Sequence, residues 1–108
     1  MFNAVKLSEA DWYVQCFLWR NVDDSIKPET YQVICNNMGV KPGSSIAKTA
    51  LDKSADTFIK IYPSMAQQLK DGSYVDDLGV TAEQLPSLKE STKEADEILG
   101  HAGMSVHK

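Results

Sequence analysis

The stretch "GSYVDDLGV", residues 72 to 80, sets two aspartates, Asp76 and Asp77, side by side within an otherwise apolar, strand-like run. Two ionised carboxylates held that close repel and desolvate each other unless a hard divalent cation such as Mg²⁺ neutralises them. Such a pair can clamp a triphosphate for phosphoryl transfer. Asp also tolerates turn geometry, so by itself the pair reads most simply as a solvated acidic turn. The flanks favour the first reading, because Tyr74 and Val75 before it and Leu78 and Val80 after it are expected to be buried in a sheet, which would hold the tip on a rigid element. Of the other residues that could do chemistry, Cys16 and Cys35 make no disulfide framework, metal-ligand set or CxxC pair. They are expected to be reduced core thiols.

The elements that must position the aspartates follow from periodicity. Residues 14–20 ("VQCFLWR") and 30–36 ("TYQVICN") are rich in β-branched and aromatic residues and flank the polar "NVDDSIKPE", which predicts a β-hairpin. If Arg20 faces Tyr31 in it, Cys16 lies opposite Cys35. From Ser44 the apolar positions Ile46, Ala47, Ala50, Leu51, Ala55, Phe58 and Ile59 recur at helical spacing, with Ser44 and Ser45 as candidate N-caps. Pro63 ends or kinks that helix. A shorter helix over 63–70 stops at Asp71-Gly72. Residues 73–80 then form a hairpin with the aspartates at or beside its tip. "LPSLKESTKEADEILG" is an amphipathic helix on Leu85, Leu88, Ala95, Ile98 and Leu99, capped by Gly100 or Gly103. "MSVHK" closes the chain as a truncated strand. The fold class is therefore α/β (α+β): an antiparallel sheet with about three helical segments on one face, in a single domain over 1–108.

Composition narrows the function classes. The 108 residues are 43% hydrophobic and 24% charged, as in an ordinary globular domain. No apolar run is long enough to span a bilayer and "MFNAVKLSEADW" lacks a basic region followed by an apolar one, so an intracellular, cytoplasmic protein without membrane association is expected. Residues 1–54 carry six Lys/Arg and six Asp/Glu, and residues 55–108 carry five and nine, which places the whole net charge of −4 in the second half. A module that gripped nucleic acid unaided would show a cationic stripe, because phosphate neutralisation supplies most non-specific affinity. No such stripe exists here.

Tyr74-Val75-Asp76-Asp77 resembles the YxDD signature of reverse transcriptases, and its neighbours resemble the palm of the polymerases of BEL/Pao-type LTR retrotransposons. "MFNAVKL" (1–7) resembles the end of the first palm motif, "FLWR" (17–20) the following strand, and "MGVKPGSSIAKTAL" (38–51) the segment entering the palm helix. "EADEILGHAGMSVHK" (94–108) is similar to the helix and strand after the YxDD hairpin, so the resemblance covers nearly the whole chain. It departs at "KPGSS", where the family usually has Ser-Pro after the glycine.

The resemblance implies a palm-like fragment whose intact enzyme adds deoxynucleotides to a primer on an RNA or DNA template. Asp76 would be a main ligand of Mg²⁺ and Asp77 a second acidic residue of the same site. Phe2 would pack against the sugar of the incoming nucleotide, or else be an ordinary core aromatic. Met38 and Gly39 would line the nucleotide pocket, with Tyr74 beside it, and Lys108 falls near the basic residue of the fourth palm motif. In the family a catalytic aspartate lies four residues before the position of Met1. Met1 is thus expected to be an internal methionine of a longer polymerase, the domain being truncated at both ends and inactive alone. Its partners would be the remainder of the polyprotein, template–primer and dNTP. The alternatives are a non-catalytic retroelement-derived module that binds protein or nucleic acid, and an unrelated α/β interaction domain.

Overall fold

A computed structural model describes residues 1–106. Three helices carry the body: α1 (Gly43–Phe58), α2 (Pro63–Gly72) and α3 (Leu85–His101). Two short antiparallel hairpins accompany them, β1 (Cys16–Trp19) with β2 (Glu29–Gln32) and β3 (Ser73–Tyr74) with β4 (Asp77–Leu78), and 3₁₀ turns form at Phe2–Ala4 and Glu9–Val14. The class is mixed α and β, as expected. The single sheet is not: among the described residues the strands form two separate pairs, with no common sheet for the helices to cover.

Each helix buries one stripe. Along α1, Ala47, Leu51, Ser54 and Ala55 recur at three- and four-residue spacing and are all buried. Ala55 meets Met65, Ala66 and Leu69 of α2 and Ala95 and Ile98 of α3 in one cluster. The alanines let the helix axes approach, and a fully buried side chain such as Ile98 contributes about 2 kcal/mol. One turn earlier on the same stripe, Leu51 packs with Leu99 and Met104 in a second cluster. The Ser54 hydroxyl donates to the Ile98 carbonyl at 2.7 Å, which satisfies a polar group inside the α1–α3 contact. Lys70 reaches back from α2 to Asp56 at 2.8 Å, and Lys48 Nζ donates to the Lys70 carbonyl at 2.8 Å besides pairing with Asp52.

Helix ends differ in part from the sequence reading. α1 is entered through Pro42, with no side-chain cap, so neither Ser44 nor Ser45 plays that part. Pro63 opens α2 where the second helix was expected to start, because its missing N–H costs nothing in a first turn. α3 ends in a Schellman motif. Gly103, at φ 69°, donates to the Gly100 carbonyl, and Met104 donates to that of Leu99 at 2.9 Å. Of the apolar stripe expected on α3, Ala95, Ile98 and Leu99 are buried and Leu88 half-buried, but Leu85 stands 73% exposed in the first turn. Residues 104–106 form no strand, and His107 and Lys108 lie outside the described residues.

The first hairpin forms where expected but in another register. Phe17 faces Tyr31, with ring centroids 5.7 Å apart, and Cys16 faces Gln32. Arg20 therefore does not face Tyr31, and Cys16 does not face Cys35, which bridges to Lys6 instead. Both thiols are free, but Cys16 is exposed and Cys35 half-buried, so neither is a core residue. The ladder of residues 5–7 with 34–36 is completed by Asn36, fully buried, whose N–H donates to the Val5 carbonyl at 2.7 Å and whose side chain donates to the Gly43 carbonyl at 2.9 Å.

Candidate functional site

The second hairpin forms over the stretch its sequence predicts. α2 runs directly into β3, Tyr74 pairs with Asp77, and Val75 and Asp76 make the two-residue turn. Only the first of these has a left-handed backbone, Val75 at φ 55°. A β-branched side chain is costly there, by about 1–3 kcal/mol. Such strain persists only where the surroundings hold it, and here the hairpin base is held by the Gly79 N–H, which donates to the Gly72 carbonyl at 2.9 Å. Tyr74 and Val75, expected to be buried, are 79% and 45% exposed, because strands of two residues have no sheet beneath them. Leu78 and Val80 are half-buried against the α1–α2–α3 core and supply the anchorage.

Asp76 and Asp77 are exposed and border a cleft of about 360 Å³ whose apolar wall includes Met1, Leu78, Leu99 and Met104. Neither carboxylate has a hydrogen bond or ion pair among the described residues. The donor set suits a hard divalent cation in kind, being carboxylate oxygens open to water, but supplies only part of a coordination shell. No group of three or more His, Cys, Asp or Glu that could hold a metal occurs among the described residues.

No protein-family model, curated protein or solved structure matches this chain.

The structure brings some of the expected site residues together and separates others. Asp76 and Asp77 share the cleft with Met1. Met38 and Gly39 line a different depression, against Gln15, Phe17 and Val33 at the base of the first hairpin. Gly39 has φ 85°, with open space where a Cβ would stand, and Met38 is 69% exposed. Tyr74 faces a third hollow, with Ser44, Ser45 and Lys48 at the start of α1. Phe2 is buried, its ring against Gly43, where an added Cβ would come within 3.5 Å of it. Lys108 lies outside the described residues. Sequence reasoning missed Leu99 and Met104 as walls of the aspartate cleft. Gly103 was the available signal, since a Schellman motif brings the residue after its glycine back onto the helix's last turn.

No helix among the described residues is long and apolar enough to cross a membrane.

Proposed function

We propose that this chain is a piece of a reverse-transcriptase palm, of the BEL/Pao retrotransposon type, whose carboxylates Asp76 and Asp77 hold Mg²⁺ in the assembled polymerase. One observation carries the reading: the YVDD turn presents both aspartates at a cleft that Met1 also lines, so the segment resembling the end of the first palm motif meets the segment resembling the YxDD hairpin. The two are more than 70 positions apart in the sequence and nothing in the periodicity required them to meet.

The chain's own residues would act by placement. Asp76 and Asp77 supply anionic oxygens on a hairpin pinned by Leu78 and by the Gly72–Gly79 hydrogen bond. The bound Mg²⁺ would supply charge neutralisation for transfer of a nucleotide to a primer 3′-hydroxyl. Two adjacent carboxylates leave the shell incomplete, and a third from a segment joined ahead of Met1 would enter at this same cleft. With a net charge of −4 and no cationic stripe, the chain depends on the remaining polymerase to hold template, primer and dNTP. Positioning and charge stabilisation make up nearly all of this catalysis, so the chain alone is inactive. A cytoplasmic location belongs to the same reading.

Primer extension on a primed RNA template tests it. The 108-residue chain should give none with Mg²⁺ or Mn²⁺. A version extended upstream by a segment bearing the missing aspartate should bind Mn²⁺ more tightly than the chain itself, and Asp76→Asn should abolish that gain. Retention of the gain in Asp76→Asn would leave the pair a solvated turn. A second reading, a non-catalytic module that binds protein, is favoured by the exposed apolar face of the first hairpin.

A further inference from the structure

Most of the large exposed apolar side chains of the described residues fall between Tyr13 and Met38, on and around the first hairpin. Every residue of β1 and β2 is exposed. An isolated two-stranded hairpin is at best marginally stable in water, and this one projects from a molecule measuring 61 × 27 × 21 Å. The radius of gyration, 17.8 Å, compares with about 13 Å for a compact chain of this length.

The two edges of the hairpin differ. β2 carries Glu29, a charge of the kind that discourages pairing at a sheet edge. β1 reads Cys-Phe-Leu-Trp and carries no charge, so its outer edge is unguarded. The backbone polarity of that edge follows from the ladder. The Val33 N–H donates to the Gln15 carbonyl at 2.9 Å, so Gln15, Phe17 and Trp19 spend their backbone groups on β2. Cys16 and Leu18 therefore turn theirs outward.

We propose that the chain self-associates as a twofold dimer in which β1 pairs antiparallel with β1 of a second copy, centred on Leu18. At that centre each Leu18 exchanges two backbone hydrogen bonds with its mate, and Phe17 lies beside Trp19 of the second copy. The aromatic face that already stacks Phe17 on Tyr31 becomes continuous across four strands. Half-exposed Phe17, Trp19 and Tyr31 offer roughly 300 Å². Leu18 stands on the opposite face, so edge pairing covers only the flanks of the paired side chains and the dimer belongs with the small, readily dissociating interfaces below about 1,200 Å² in total. The hairpin's charges are of both signs, with Arg20 paired to Asp24, so a second copy meets no uniform repulsion. A nucleic-acid strand would find no cationic stripe. This proposal does not depend on the polymerase reading, and its test involves neither metal nor template.

Light scattering on the full chain should give twice the 12.0 kDa chain mass at NMR concentrations, falling on dilution. Leu18→Lys should return the single-chain mass with the helical circular dichroism retained. In a Cys16→Ser, Cys35→Ser background, Leu18→Cys should cross-link to its mate under mild oxidation several-fold faster than Thr30→Cys, because a hydrogen-bonded pair sits within disulfide reach. The cysteine comparison decides the matter should Leu18→Lys fail to fold. A parent chain that stays monomeric, open-ended growth beyond the dimer, or equal cross-linking at positions 18 and 30 would each overturn the proposal.

Discussion

Gly72 and Gly79 meet backbone to backbone at the base of the aspartate hairpin. A Cβ on Gly72 would stand 2.4 Å from the Gly79 carbonyl oxygen, a group that cannot swing aside as a side-chain tip would. Gly72→Ala is therefore expected to lower stability by about 3 kcal/mol. Gly100, inside α3 with open space around it, is the control, and Gly100→Ala should raise stability by about 1 kcal/mol. Urea unfolding of the two variants reads both signs in one experiment.

Val75 should be replaceable with profit to stability. Its φ of 55° suits glycine, and relief of the β-branched clash outweighs the extra freedom glycine has when unfolded. Val75→Gly is expected to raise the unfolding midpoint by an amount equivalent to about 1 kcal/mol. A lowered midpoint would mean that the Val75 side chain contributes packing beyond its backbone cost.

Metal binding by the chain itself should be weak. Asp76 and Asp77 are open to water and form an incomplete shell, so Mn²⁺ affinity in the millimolar range, on the order of an unshared carboxylate pair, is expected. Paramagnetic broadening of amide signals in an Mn²⁺ titration should begin at residues 75–78 and be reduced in Asp76→Asn.

Stability should fall off on the alkaline side. The Tyr62 hydroxyl donates to Glu97 at 2.8 Å, and that hydrogen bond holds the phenol above its ordinary pKa. The hydrogen bond and charge of Asp56 likewise raise Lys70. A group whose pKa is raised by folding contributes fully below its unfolded value, and the contribution disappears as pH rises through the folded one. Both groups therefore predict level behaviour near neutrality and a loss above about pH 10. Thermal midpoints measured across that range should fall less steeply in Tyr62→Phe than in the parent.

The helices were legible because each buries one stripe against a neighbour. Ala47, Leu51 and Ala55 announced α1, and Ala95, Ile98 and Leu99 announced the buried half of α3. Leu85 fits the same period yet is exposed, since periodicity gives a direction and not the presence of something to pack against. The aspartate hairpin was legible from its turn chemistry, with Asp76 in the turn and Asp77 opening β4. The register of β1 on β2 was not. Register is set by alternation when one face is buried, and here both strands are exposed on both faces, so nothing in Cys-Phe-Leu-Trp or Glu-Thr-Tyr-Gln selects a pairing. The separation of Met38 and Gly39 from the aspartates was equally hidden, because it depends on how the first hairpin leaves the body.

Leu78, next in the chain to Asp77, packs against both apolar clusters, the one on Met65 and Leu69 and the one on Leu51 and Met104. In mechanical terms it is a strut set between two floors. A volume change in either floor, though the two are separate clusters, delivers its thrust to the same point one residue from a carboxylate. The position of Asp77 is thus a single gauge of two separate reservoirs of packing.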